Sequence, residues 1–426
     1  MAWSIANRCR PAEAWRGAAA AMFGVGWGAN QFASLILAYE AHRGLSVSTS
    51  EALFGVYALG LIPALLVGGP ISDRHGRKVM GRPAALCSVV ATLVLMAGHD
   101  HTTLLYVGRF LAGACSGAMF AAGTAWVKEL SVAPFGTGTG PLGARRTAVA
   151  LSAGFGLGPV VAGIIAQWGP APLVLPYVAH LMVMAWVLPY MWRVPETTGM
   201  TTMPAPVPWT HCLRVAAPIR RRFLTVVVPL GPWVFTAPAV GFAVLPGLVA
   251  GHTPGYGVAF SALTAGVVIA FGVLIQPLAH RLGRRGMLVG VVAIVVGLIL
   301  GALAASTGSW PLVLVADSSL GCGYGLCLVA GLIEVQHLAG PDDLAGLTAI
   351  FYSLTYVGFA VPVALAALHR LTSSASLLTG LAALATLTLL LLAATTRQAG
   401  LELAGSPRPT EASTRAPQHD ATPGPS

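Results

Sequence analysis

The sequence predicts an all-α membrane protein whose twelve transmembrane helices form two pseudo-symmetric six-helix bundles, and three observations carry that reading. The 426 residues are 56% hydrophobic and only 9% charged, with a mean hydropathy of +0.76. A soluble domain of that length does not have such a balance. Twelve apolar stretches are long enough to cross ~30 Å of hydrocarbon as helices. Two charged features of the first half also recur in the second at nearly the same offset.

In chain order, span 1 (17–39) follows Arg8, Arg10 and Arg16 and is too long for the apolar core of a signal peptide, so it reads as an uncleaved helix. Span 2 (52–72) runs into a charged turn at Asp73, and span 3 (83–98) is the shortest. Span 4 (103–127) opens after the polar His99-Asp100-His101, and spans 5 and 6 (147–168 and 172–192) complete a first bundle over 1–193. Residues 194–222 hold Pro195, Pro204, Pro206, Pro208 and Pro218 and then Arg220-Arg221-Arg222, the composition of a cytoplasmic linker. The second bundle, 223–396, has spans at 223–249, 257–279, 287–305, 311–333, 344–368 and 373–396. From 397 to 426, Ser, Pro, Thr and Gly without periodicity read as a disordered cytoplasmic tail.

Of the 24 Lys and Arg, 21 fall on one side of such a bundle; Arg43 and Arg370 fall on the other and Arg109 within a span. The positive-inside rule therefore puts both termini in the cytoplasm. The net charge of +10 sits in short loops between apolar spans, which does not make a nucleic-acid surface. The cysteines (Cys9, Cys87, Cys115, Cys212, Cys322, Cys327) include no CxxC pair, and four fall inside spans, so they read as small buried hydrophobes. Neither a nucleotide-binding loop, a zinc framework nor a nucleophile motif is present, and His99-Asp100-His101 occupies a very short loop. No metal, cofactor or enzyme activity is implied.

The densest charge is Gly69-Pro-Ile-Ser-Asp73-Arg74-His-Gly76-Arg77-Lys78, between spans 2 and 3. Gly76 permits a tight turn, Arg74, Arg77 and Lys78 hold the loop on the cytoplasmic side, and Asp73 can accept hydrogen bonds. His280-Arg281-x-Gly283-Arg284-Arg285 repeats its core 207 residues later, and Arg109-x-x-x-Gly113-x-x-x-Gly117 is matched by Asp317-x-x-x-Gly321-x-x-x-Gly325 after 208. Two features at nearly one offset indicate an internal duplication. The loop, Gly-x-x-x-Asp-Arg-x-Gly-Arg-Lys, resembles the signature of the major facilitator superfamily of secondary transporters, and the likeness covers about 17–396. Val194-Pro195-Glu196-Thr197 is similar to that family's usual exit from its sixth helix. The resemblance implies that Glu129 pairs with the Arg77 region and that Asp73 faces the start of span 11, just after Pro341-Asp342-Asp343. These contacts would form a latch that breaks when the protein opens inward.

Within the expected spans only Arg109 and Asp317 carry a full charge, at ~2.5–3.5 kcal/mol each on insertion scales. Both lie about six residues, or ~9 Å, from the outer end. The repeat makes them equivalent, and the family places their helices around a central cavity, so they are expected to approach each other as a protonation-sensitive pair. A static salt bridge or two snorkelling side chains would use the same residues. Arg109-Phe-Leu-Ala-Gly113 is similar to the Arg-x-x-x-Gly motif of proton-coupled members, which often has Gln where Ala112 stands; it implies that Asp317 titrates and Arg109 tunes it. Gly154-Phe-Gly-Leu-Gly158-Pro159-Val-Val-Ala-Gly163 is similar to the antiporter motif of helix 5, with Ala162 for one Gly, and that motif is associated with export. A generic small-residue packing face would read the same way. The acid that many drug–proton antiporters carry within helix 1 is missing, Glu40 coming only at its outer end.

Trp27, Asn30, Gln31, Trp233 and Tyr324 are expected to contact substrate, with His180 a weaker candidate, although helix packing accounts for each as well. The reading is thus export of a small, fairly hydrophobic organic molecule across a bacterial plasma membrane by proton antiport. Its partners are the substrate, protons and the bilayer, and the chain is expected to be monomeric. Import of a metabolite, or ligand binding without transport, are the alternatives on the same fold.

Overall fold

The computed structural model describes residues 13–138, 140–198, 215–283, 285–340 and 344–405. The segment before Glu13, most of the expected linker, Arg284, Pro341-Asp342-Asp343 and the tail beyond Gly405 lie outside the described residues. Every regular element among those described is helical, and eleven helices are long and apolar enough to cross a membrane.

The expected first span is the exception. It consists of two shorter helices, α1 (Trp15–Asn30) and α2 (Phe32–Arg43), which meet at Gln31 with the backbone still helical at φ −55°, ψ −29°. Gly26, Gly28 and Asn30 are among the weaker helix formers of the stretch. The helix α3 (Val47–His75) begins under a Ser46 cap, whose Oγ accepts from the Thr49 N–H at 3.2 Å. It stops at Gly76, where φ is 111°, and α4 (Arg77–Ala97) starts at once, six residues before the expected span and with Pro83 inside it. Then come α5 (Thr102–Ser131), α6 (Gly140–Trp168) and α7 (Leu175–Trp192).

The next span, α8 (Ala217–Leu248), already includes the end of the expected linker. It is interrupted by two π segments, Phe223–Val227 and Val240–Val244, in a stretch where Pro229, Pro232, Pro238 and Pro246 each remove a backbone donor. Four helices follow, α9 (Gly257–Leu274), α10 (Gln276–Leu282), α11 (Arg285–Thr307) and α12 (Trp310–Leu338). The expected span 11 is broken into α13 (Leu344–Tyr356) and α14 (Ala360–Leu368) around a 3-10 turn, Val357–Phe359. There Gly358 sits so close to α8 that a Cβ would come within 2.6 Å of the Pro232 carbonyl. Finally α15 (Ser374–Gly405) continues past 396, where a disordered tail was expected, because Ala, Leu and Gln there extend the helix as readily as the apolar run before them.

The outer surface is apolar: Leu59, Met182, Leu274 and Leu390 are each more than 60% exposed, as suits a chain solvated by hydrocarbon. Inside, α1 packs on α5, α6 and α7, while α12 packs on α8, α9 and α11. Helices before residue 199 meet those after 214 mainly through α6 and α2 on α9 and α3 on α13 and α14. Gly163 faces Ala262, Gly55 faces Val363, and Gln167 donates to the Gly255 carbonyl (2.8 Å) and accepts from the Ala259 N–H (3.0 Å). These contacts lie toward the end of the molecule opposite the Gly76 turn.

Candidate functional site

The Gly76 turn organises the near end. With φ at 111° the position suits glycine alone, and a Cβ would also meet Glu196 Oε2 at 2.8 Å. Because the helix restarts without a spacer, the first amides of α4 need acceptors. Glu196 supplies them, accepting from the N–H groups of Arg77 (2.8 Å) and Lys78 (2.9 Å). Burial pushes the Glu196 carboxyl up, but four backbone donors, those of Lys78, Arg77, Thr198 and Thr197, outweigh it and hold the group below its ordinary value. The Arg77 guanidinium fans out to Glu129 (Nε to Oε2, 3.1 Å, and Nη2 to Oε1), to Asp73 and to Ser72 Oγ (3.2 Å). Thr197 also donates its hydroxyl to Glu129.

Glu129 thus sits on Arg77. Asp73, one turn back on α3, makes its described ion pair with Arg77 as well, and the residues preceding α13 that it was expected to face lie outside the described ones. Sequence reasoning quoted Glu196 only as part of an exit motif; the amide it caps at the start of α4 is 119 residues away, which no local pattern shows.

Arg109 and Asp317 are both buried, 1% and 0% exposed, but the structure does not bring them together. Arg109 donates from Nε to the Leu53 carbonyl and from Nη1 to the Ala29 carbonyl, each at 3.1 Å. Its guanidinium lies 4.7 Å from the Phe32 ring centroid and 4.8 Å from that of Tyr57. The reason is local. Ala29 is in the last turn of α1, where carbonyls lose their helical donors and the dipole is negative. The break at Gln31 therefore creates an acceptor for the arginine, and the expected ion pair is not made. Asp317 faces Gly241 in the second π segment of α8, where a Cβ would reach Oδ1 at 2.7 Å. Neither of its oxygens has a hydrogen-bond partner among the described residues.

The glycines of α6 serve close approach. A Cβ on Gly158 would meet the Trp27 carbonyl at 2.8 Å, one on Gly154 would meet the Trp27 nitrogen at 3.0 Å, and one on Gly163 would meet Ser34 Cβ at 3.1 Å. Pro159 has no N–H for the carbonyl of Phe155 one turn earlier. The Asn30 side chain replaces it, donating Nδ2 to Phe155 O at 2.8 Å. Asn30 is therefore engaged in packing and not free for substrate. The same holds for His180, whose Nε2 pairs with the Gly24 carbonyl (3.0 Å) and Nδ1 with the Thr92 hydroxyl (2.7 Å), and for Trp233, which donates to Thr388 Oγ1 at 3.0 Å. Trp27 Nε1 and both ends of the Gln31 amide are buried without hydrogen-bond partners among the described residues. Those two candidates keep unsatisfied polar groups for a guest to meet.

Tyr324 belongs to an aromatic cluster that sequence reasoning missed. Phe235 on α8 lies between Tyr356 (4.6 Å between centroids), Phe359 (5.3 Å) and Tyr324 (5.7 Å). Phe359 reaches across to Phe54 (5.1 Å) and Tyr57 (5.9 Å) on α3, and Phe54 touches Phe242 at 5.8 Å. The cluster joins α3 to α8, α12 and the break in the expected span 11. Phe54 and Tyr57, three apart on one helix, were the visible hint.

Two further carboxylates are buried in helices. Glu51 is 3% exposed in the first turns of α3, within electrostatic reach of Glu40. Glu334, at the end of α12, pairs with Arg222 Nε at 2.5 Å. Both correct the expectation of two intramembrane charges, because helices run beyond the apolar windows by which spans are recognised.

A family model described as Major Facilitator Superfamily matches residues 17–363. Among curated proteins, the Multidrug resistance protein MdtL of Klebsiella pneumoniae is 28% identical over 164 residues, 38% of this chain. The chain spans 35% of that relative's length. Among solved structures, a POT family transporter in complex with 5-aminolevulinic acid matches with a TM-score of 0.74 at 14% identity, covering 90% of this chain and 96% of its own. The inward-open xylose transporter XylE of E. coli matches with a TM-score of 0.66 at 12% identity, covering 89% and 94%. With eleven candidate spans, a signature turn at Gly76 and a family model that matches most of its length, this chain is a multi-pass membrane protein that belongs to the Major Facilitator Superfamily of transporters.

Proposed function

We propose that the protein is a proton-coupled exporter of a small, fairly hydrophobic organic molecule, working by alternating access in a bacterial plasma membrane. In this reading α1 and α2 cross together as the first of twelve spans. The chain is then two six-helix halves, 1–193 and 223–396, with cytoplasmic termini. The observation that carries the reading is Asp317, fully buried with neither carboxylate oxygen partnered among the described residues. A charge enclosed in that way is costly, so exchange of a proton between Asp317 and water requires the halves to rock and open the carboxyl to water. That links proton release to conformation, which is what coupling requires. Arg109, already held by two carbonyls, acts on the same helix layer by fixing α1 and α3 around the cavity. Trp27, Gln31 and the aromatic cluster offer apolar faces and a few free polar groups to the substrate. The Asp73–Arg77–Glu129–Glu196 network is the inner latch. Export is favoured over import by the likeness to MdtL, named a multidrug resistance protein, and by the proline motif of α6.

The test uses everted vesicles with an acid-inside gradient and a panel of lipophilic cations and neutral drugs. Substrate-triggered proton release in wild type that disappears in Asp317→Asn is the expected result. Release that persists in the variant removes Asp317 from the coupling step. Silence across the panel with folded protein turns the reading to uptake of a metabolite or to ligand binding without transport, and a negative response to every ligand in both directions overturns transport.

A further inference from the structure

On the lipid-facing surface near the Gly76 turn, α4 and α7 enclose a groove of about 310 Å³ lined by Lys78, Val79, Arg82, Pro83, Leu86 and Trp192. Its two cations stand one helical turn apart. Arg82 donates Nη2 to the Trp192 carbonyl at 2.7 Å and lies 5.0 Å from the centroid of that indole. Its Nε is buried with no hydrogen-bond partner among the described residues. No carboxylate lies within ion-pair distance of either cation among the described residues. Glu196, the nearest acid in the local network, is engaged with backbone amides.

The walls of the groove are apolar and continue along the helix. Val79 and Leu86 are 56% and 45% exposed, and Val90 and Leu93, one and two turns further, are 49% and 43% exposed. Trp192 itself is 43% exposed, in the position of an interfacial anchor at the end of α7. Two cations with no carboxylate partner, at the water end of an exposed apolar stripe, complement in charge and shape a phosphate above an acyl chain. A zwitterionic headgroup brings a cation of its own beside its phosphate and so leaves the net charge of the site unchanged, whereas an anionic headgroup lowers it.

We propose that this groove binds an anionic phospholipid, with its phosphate between Lys78 and Arg82 and one acyl chain along the Val79–Leu93 face. The site is independent of the transported substrate and of the proton step. It is tested on the purified full-length protein by native mass spectrometry, counting phosphatidylglycerol and phosphatidylcholine retained from equal mixtures. Wild type is expected to retain phosphatidylglycerol roughly tenfold over phosphatidylcholine. Arg82→Gln and the pair Lys78→Gln with Arg82→Gln should lose that preference, and Arg82→Lys should keep most of it. Leu86→Trp, which fills the groove and leaves both charges in place, should lower phosphatidylglycerol retention too. Free glycerol 3-phosphate at millimolar concentration should not compete, which separates a lipid site from a phosphate site. Equal retention of the two lipids by wild type, unchanged retention in Leu86→Trp, or full competition by glycerol 3-phosphate each overturns the proposal.

Discussion

Arg109 and Asp317 occupy equivalent places in an internal repeat, at similar depth, and both are buried to within 1% of complete enclosure. They differ in what surrounds them. Arg109 has carbonyl acceptors from two helices and aromatic faces on which to rest, while Asp317 faces a glycine and has no donor among the described residues. Depth and charge alone therefore do not tell the two residues apart. A buried charge that the fold has satisfied holds structure together, and one that the fold has left unsatisfied is poised to change state.

Four experiments break or sharpen this contrast. The largest effect is expected for Asp317→Asn, which keeps the shape and removes the titration: substrate-driven proton movement should be lost with the melting temperature unchanged or raised. Arg109→Ala should do the opposite, lowering stability by about 3 kcal/mol or more as the Leu53 and Ala29 carbonyls lose their donor. If the two residues were partners, the double variant would be non-additive in a thermal-stability cycle; additivity is expected. Third, Asn30→Ala should cost about 1–2 kcal/mol because the Phe155 carbonyl is orphaned. Adding Pro159→Ala, which returns an N–H to that carbonyl, should recover most of the loss.

The smallest effect concerns Glu196, the satisfied acid that serves as a control for Asp317. Its carboxyl is held below the unfolded value of ~4.3. Its contribution is thus fully present above that value and fades as pH falls through the lower folded value. Melting curves of wild type and Glu196→Gln should accordingly differ at pH 7 and converge only as pH falls below ~4.3 and through the lower folded value; a difference that stays constant with pH would show that the carboxylate charge does not stabilise the turn.

The family, the helical class and most span positions were legible because hydropathy and the Asp73–Lys78 turn act over short stretches of chain. The Arg77–Glu129 contact was legible through the family pattern. What escaped depends on where helices break and what they touch. The Gln31 junction is invisible to hydropathy, yet it frees the Ala29 carbonyl that takes Arg109 away from Asp317. Glu51 and Glu334 escaped because one apolar window, 52–72, began one residue after Glu51 and another, 311–333, ended one residue short of Glu334. Asn30 looked like a ligand contact because an amide in a span needs a partner, and the partner is a carbonyl 125 residues away that lacks its helical donor because of Pro159. The ring cluster around Phe235 draws on four segments, and no local pattern announces it.

That asparagine and proline also constrain how the sequence can change over generations. A lineage that replaces Asn30 first leaves the Phe155 carbonyl unpaired among membrane helices and is selected against. One that replaces Pro159 first regains the ordinary helical bond, and since a carbonyl has two lone pairs it can keep the amide as well. The two positions are therefore free to drift in one order only: the proline must go before the asparagine.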